Sequence, residues 1–312
     1  MASSHIHPKI RYCLDATTEE RISYIQRDRF IPYARGEAVL AEIETIMQTP
    51  AGVRAKCLLM VGAPGMGKTS ILDFAERRYV QASQARYRRG GLVRINLPQI
   101  VSDRRLLYVR VLKYLGIPFC ISDKPEFLHE QTIDALRDSE TRALAIDEFH
   151  NFLGPKMTHL SEHMVAIRDI ANIPISVIGA GIKSVEACVL ADDQLEQRFT
   201  RHWLTPWEET EELRNFLATL ESRLPLKLPS NFAGPDLLPL LVRFSNGHMR
   251  RMINLIRQAA EWAVVEGIEK ITVDLLRQAL QELSRTSSHY VETTMTGPTN
   301  SSAPAAEEVG HA

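Results

Sequence analysis

Gly62-Ala63-Pro64-Gly65-Met66-Gly67-Lys68-Thr69 is the stretch that decides the fold. The apolar run Cys57-Leu58-Leu59-Met60-Val61 precedes it, and Ser70-Ile71-Leu72-Asp73-Phe74-Ala75-Glu76, which reads as a helix, follows it. A strand, then G-x-x-x-x-G-K-T, then a helix is the context in which this pattern forms a phosphate-binding loop. The glycines let the chain turn tightly, so successive N–H groups point inward and cradle an anion. The helix opening at Gly67 aims its positive dipole end at the same phosphates. Residues Gly62 to Thr69, with Ser70, are therefore the expected binding set for a nucleoside triphosphate, ATP. Lys68 is expected to reach the β- and γ-phosphates, and the Thr69 hydroxyl to ligate Mg2+.

A second half-site is expected at Ala143-Leu144-Ala145-Ile146-Asp147-Glu148, an apolar strand that ends in two carboxylates. In open α/β folds ligands bind at the carboxyl edge of the sheet, which is where this pair falls. Asp147 is expected to hold Mg2+ together with Thr69, and Glu148 to orient or deprotonate the attacking water. Adjacent acidic pairs are usually solvated, so the apolar strand before this one is what gives it weight. A strand at residues 92–97, between the P-loop strand and this one, is also expected.

The 312 residues are 45% hydrophobic and 24% charged, an ordinary soluble composition. A net charge of -1 advertises no nucleic acid, so DNA contact has to come from a local patch. Cys13, Cys57, Cys120 and Cys188 are scattered without a C-x-x-C pair, which argues against a disulfide framework or a zinc site and fits a reducing cytoplasm. The polar N-terminus reads as no signal peptide, and no apolar run approaches the ~20 residues that span a bilayer.

Strand signals near 57–61, 92–97, 143–147, 174–179 and 202–204 alternate with helical periods, which predicts a five-stranded parallel sheet covered on both faces. Residues 1–16 read as a flexible segment, and Thr17 with Glu20 as a capping box that opens the α/β unit, 17–206. From Trp207 the strand signal stops, and helices at 208–223, 235–245, 248–266 and 272–284 form an α-helical unit over 207–285. The Ser/Thr/Pro/Ala-rich residues 286–312 read as a disordered tail.

A P-loop core followed by a four-helix lid resembles the AAA+ ATPases. That resemblance implies that Arg250, in Gly247-His248-Met249-Arg250 at a lid helix start, acts at the nucleotide (the sensor 2 position). It also implies an arginine finger inserted into a neighbouring subunit's site; Arg198 matches best, with Arg201 the alternative. The sequence departs from the family at Ile178-Gly179-Ala180-Gly181, where alanine stands in place of the polar sensor 1 residue, which puts efficient hydrolysis in question. Phe30-Ile31-Pro32-Tyr33, Pro50-x-x-x-Arg54, the P-loop, Asp147-Glu148-Phe149-His150-Asn151 and Gln197-Arg198-Phe199 further resemble the TniB family of transposon-encoded regulators, similar to TnsC and more distantly to MuB. Membership implies an ATP-bound homo-oligomer, ring or helical, on double-stranded DNA, which recruits or activates a DDE transposase, works with a TniQ-type targeting protein, and disassembles on hydrolysis. It makes Ile31 and Tyr33 candidate adenine contacts, with core packing as the other reading. Arg104 and Arg105 are the first candidates for DNA-backbone contact and Arg86, Arg88 and Arg89 the second, against a solvated basic turn for either. A secretion, signalling or helicase-loader ATPase acting on protein partners is the competing class.

Overall fold

The computed structural model describes residues 5–50, 53–79, 91–101, 103–154 and 159–295. Arg86, Arg88 and Arg89 lie outside the described residues. Five parallel strands, β1 (Cys57–Gly62), β2 (Leu92–Asn96), β3 (Ala143–Asp147), β4 (Ser176–Gly181) and β5 (Phe199–Leu204), form a sheet in the order β2-β3-β4-β1-β5. The strand that separates β1 from β3 is β4, whereas β2, which lies between them in sequence, takes the outer edge beyond β3.

The three inner strands are buried at every position, as a parallel sheet covered on both faces requires. Along β1 the side chains alternate: Leu58 and Met60 enter one hydrophobic cluster, and Cys57, Leu59 and Val61 the other. The second cluster is closed by α4 (Arg105–Leu115), α5 (Pro125–Asp138) and α6 (Leu160–Asn172). The first runs through α2 (Ala34–Gln48) and α3 (Lys68–Tyr79) into the helical unit. That unit comprises α9 (Glu211–Glu221), α10 (Leu238–Ser245), α11 (Met249–Val265) and α12 (Val273–Met295). Two short helices that the sequence does not signal, α7 (Val185–Leu190) and α8 (Asp193–Glu196), connect β4 to β5. The last helix passes residue 285, the expected end of the lid, and continues to Met295.

Trp207 is the seam between sheet and lid. It stacks on Phe216 with ring centroids 5.2 Å apart, lies 5.4 Å from the Tyr33 ring, and carries the Arg35 guanidinium 4.2 Å above it.

The N-terminal segment is more ordered than its composition suggests. Pro8–Asp15 forms a 3-10 helix, and Ile6, Ile10 and Cys13 are buried with Leu14 and Tyr24 packed against them. The His7 N–H donates to Ser222 O (2.8 Å), which ties this segment to the lid. The helix α1 (Thr18–Gln26) opens on the expected capping box but packs on α11, so it belongs with the lid and not with the α/β unit. Buried Arg21 fastens it, donating to Pro225 O and, through Nη1, to Glu269 Oε1 (2.8 Å). Burial works against the Glu269 charge, but the bonds from Arg21 and the Lys227 N–H hold its carboxyl below the ordinary range.

Removing one partner of a buried ion pair strands the other, which costs about 3 kcal/mol. Arg21→Ala should therefore lower unfolding free energy by about that amount in urea at pH 7. Because the folded Glu269 pKa is depressed, this stabilisation is present above the ordinary carboxylate pKa and is lost as pH falls through the folded value. The wild-type and Arg21→Ala midpoints should accordingly converge in acid, which a urea series from pH 7 down to 3 will test.

Candidate active site

The P-loop strand ends where its neighbour presses closest. A Cβ on Gly62 would stand 2.7 Å from Leu204 O of β5, so only glycine lets the two strands pair there. Gly65 (φ 78°) and Gly67 (φ 91°) then take the left-handed turns that fold the loop back onto α3. Lys68 Nζ donates to Gly62 O (2.7 Å) and Ala63 O (2.9 Å), which holds the ammonium over the loop. Burial lowers the Lys68 pKa; Glu148 and Asp147 oppose that and Arg250 adds to it. Thr69 and Ser70 occupy the first turn of α3, beside its dipole end.

Across β4, the end of β3 delivers the acidic pair. Asp147 is 2% exposed, and its Oδ1 accepts the Glu148 N–H at 3.0 Å. Its Oδ2 lies 3.4 Å from Arg94 Nη2, and Arg94 is in turn paired with Asp73 and Glu76 of α3. Burial disfavours the Arg94 cation, but these carboxylates outweigh it and raise its pKa. Nothing local in the sequence marks Arg94: it sits mid-strand in β2, and only the pairing of β2 with β3 brings it to Asp147. Glu148 takes a left-handed backbone (φ 56°), unusual for a residue with a Cβ, at the start of the 3-10 turn Phe149–Leu153.

The lid closes the third side. Asn246 (φ 54°) and Gly247 (φ 71°) reverse the chain between α10 and α11. A Cβ on Gly247 would stand 2.5 Å from Trp207 O, so the turn needs glycine for space as well as for φ. The reversal brings the start of α11 onto the P-loop: the Arg250 N–H donates to Gly65 O (2.9 Å), and His248 Nδ1 stands 3.3 Å from Pro64 O. A cavity of about 520 Å³ lies between, lined by the P-loop, Thr69, Ser70, Glu148, Arg250, Asn254 and Arg257, with Asp28, Arg29 and Phe30 on its flank. A larger one, about 680 Å³, borders Gly91, Arg142 and Ile175 and contains no residue of the P-loop or of the acidic pair.

The structure thus brings together the P-loop, Glu148 and Arg250, with Asp147 buried behind them. Ile31 and Tyr33 are buried in the core, and the cavity-facing side chains of their segment are Asp28, Arg29 and Phe30. The buried Tyr33 hydroxyl has no hydrogen-bond partner and would stand 3.5 Å from a Cβ on Gly67, directly beneath the loop. Burial pushes its pKa up to about 12. Arg198 and Arg201 do not line the cavity of their own chain. Arg198 caps the end of α6, donating to Ala171 O (2.9 Å) and Asn172 Oδ1 (2.7 Å), while Arg201 stands 3.5 Å from Glu196 and 3.9 Å from Glu186. Arg104 is paired with Glu126, and Arg105 with Asp103 at 2.6 Å. Ala180 is fully buried in β4.

A phosphate cradle, an acidic pair one strand removed from it and a helical lid bonded to the cradle define a P-loop ATPase of the AAA+ class. The family model described as "Bacterial TniB protein" matches residues 21–209. The chain belongs to the TniB family. None of the curated proteins matches it. Among solved structures, it is similar to the ORC2 protein of Aeropyrum pernix with ADPNP and ADP (18% identity, 83% of this chain and 71% of that one, TM-score 0.59). The ORC1 protein of the same organism in complex with DNA gives 17% identity over 88% and 72%, with a TM-score of 0.60. Cdc6p from Pyrobaculum aerophilum gives 19% over 83% and 70%, with a TM-score of 0.59. These likenesses establish the AAA+ fold. Among the described residues no helix is long and apolar enough to cross a membrane.

The left-handed backbone at Glu148 costs about 1 kcal/mol, which glycine avoids. Glu148→Gly should raise unfolding free energy by about that amount while abolishing phosphate release, whereas Glu148→Gln should abolish release without the gain. Paired denaturant melts and phosphate-release assays will check both.

Proposed function

We propose that this chain is an ATP-dependent regulator of transposition that assembles on duplex DNA, recruits or activates a DDE transposase, and leaves when ATP is hydrolysed. The carrying observation is TniB membership over a site whose P-loop, acidic pair and lid are all in register. The Arg250-to-Gly65 bond supports it further, because it couples whatever binds the loop to the position of the lid.

In this reading the loop N–H groups and Lys68 bind the triphosphate. Thr69 and Asp147 would hold Mg2+, which supplies charge neutralisation at the phosphates. The donor set suits the ion: a hydroxyl and one buried carboxylate beside phosphate oxygens are hard oxygen ligands. Glu148 takes the proton of the attacking water, and Arg250 stabilises charge from the lid. Arg198 or Arg201 completes a neighbouring copy's site, which makes hydrolysis depend on assembly. Arg104 and Arg105 contact the DNA backbone, with Arg86, Arg88 and Arg89 as the second candidates, so Arg104 and Arg105 exchange Glu126 and Asp103 for phosphates. A TniQ-type protein is the targeting partner, and the cytoplasm the compartment. One neighbour of similar fold is described as an ORC1 protein in complex with DNA, which favours DNA as the ligand and keeps a helicase-loader role as the second reading.

The test is sedimentation and electron microscopy of the full chain with arbitrary duplex and ATP. Wild type should form ATP-dependent assemblies, Lys68→Ala none, and Glu148→Gln assemblies that outlast wild type. A wild-type chain that stays monomeric with ATP and DNA would overturn the proposal. Arg105→Ala should weaken binding to all sequences alike and reduce the salt slope by about 1, since one phosphate fewer is neutralised; anisotropy between 50 and 200 mM salt measures it.

A further inference from the structure

The inner strand β4 ends beside both halves of the site, yet Gly179-Ala180-Gly181 gives that end no polar side chain. The space is filled from elsewhere. A Cβ built on Gly181 would stand 3.2 Å from His150 Nδ1, so the imidazole covers the bare end of the strand. The same Nδ1 lies 3.4 Å from Glu148 Oε2, is buried, and has no hydrogen-bond partner. Glu148 is 43% exposed at its side chain and, beyond this ring, pairs with no cation among the described residues. A carboxylate that must present one oxygen to a water gains from having the other held.

We propose that His150 is the positioning residue of this ATPase: its unpartnered Nδ1–H, poised 3.4 Å from Glu148 Oε2, donates to that oxygen when nucleotide fills the site and fixes the carboxylate at the end of β4, in the place that a polar side chain on the strand itself would fill. Burial, against the pull of Glu148, keeps the His150 pKa below its ordinary value, so the ring is neutral and carries a single N–H. The bond fixes which nitrogen holds it. The role would let hydrolysis proceed with an alanine at position 180: the donor comes from the turn after β3, three residues beyond Asp147. The inference rests on the ATPase reading of the site and is independent of DNA assembly.

Three variants separate positioning from packing. His150→Phe keeps the ring volume and removes the nitrogens; His150→Asn keeps a donor at the Nδ1 position; His150→Gln moves it one carbon further out. Turnover at saturating ATP is measured with and without DNA, alongside ATP affinity and thermal melting. His150→Phe should lower kcat by about a hundredfold, the scale of a misplaced reacting group, with ATP affinity and melting unchanged. His150→Asn should restore most of the rate, and His150→Gln much less. Wild-type turnover in His150→Phe, equal loss in Phe and Asn variants, or loss of ATP binding together with turnover would each overturn the assignment. If wild type hydrolyses ATP but never gathers on duplex, the transposition reading fails while the His150 comparison stands.

Discussion

One spacing governs this molecule: β4 stands between the strand that carries the P-loop and the strand that carries Asp147 and Glu148. Two inter-strand steps separate their ends by about 10 Å. Side by side, β1 and β3 would put the carboxylates against the loop and leave no room for phosphate, ion and water together. The separator has to be slender at that edge. Gly179 is crowded by Leu59 and Phe149, whose atoms would stand 2.8 and 3.2 Å from a Cβ, and Gly181 by Val185 at 2.9 Å. The small residues of β4 are thus forced by their neighbours, and their lack of chemistry follows from that.

The same sheet edge explains the lid's reach. Trp207 follows β5 directly and seats the helical unit in the hydrophobic cluster that already runs beneath Met60 and Ile178. With that anchor set, the turn at Asn246-Gly247 needs only to reverse the chain for α11 to meet the loop. The linker before α2 is gripped from the lid as well, since Arg257 donates to Asp28 Oδ1 (2.8 Å) and Arg27 O (3.1 Å). Bonds from His7, Arg21 and Arg257 thus tie residues 5–28 to the lid.

Much of this is legible in the sequence wherever the signal is local. The P-loop and the acidic pair are written into contiguous stretches whose flanks name their secondary structure, and the capping box at Thr17 and Glu20 forms where its spacing places it. What is not legible depends on which strands meet. The edge position of β2, the Arg94 link to Asp147 and the imidazole over Gly181 are all products of sheet order, which alternating strands and helices do not specify. Residues 1–16 look polar and irregular because the three apolar side chains that dock them, Ile6, Ile10 and Cys13, are too few to raise the composition. Ile31 and Tyr33 illustrate a third limit: the family resemblance points to the segment but does not say which of its side chains face a ligand and which the core, and here Phe30 takes the cavity side.

The two arginines before and within β5 differ in what their release would cost. Arg198 satisfies the Ala171 carbonyl at the end of α6, where a cation is favoured by the helix dipole, and its withdrawal leaves Ala171 O and the Asn172 side chain without that donor. Arg201 is 29% exposed and faces Glu186 and Glu196, themselves 25% and 41% exposed, so water readily takes over either carboxylate. Partly exposed pairs of this kind are worth about 1 kcal/mol or less. A γ-phosphate concentrates more negative charge than either glutamate and accepts a guanidinium through two oxygens at once. If a neighbouring copy's nucleotide draws on an arginine here, as the proposed function requires, Arg201 can exchange its partners with little loss of stability, whereas Arg198 does more for its own fold by staying where it is.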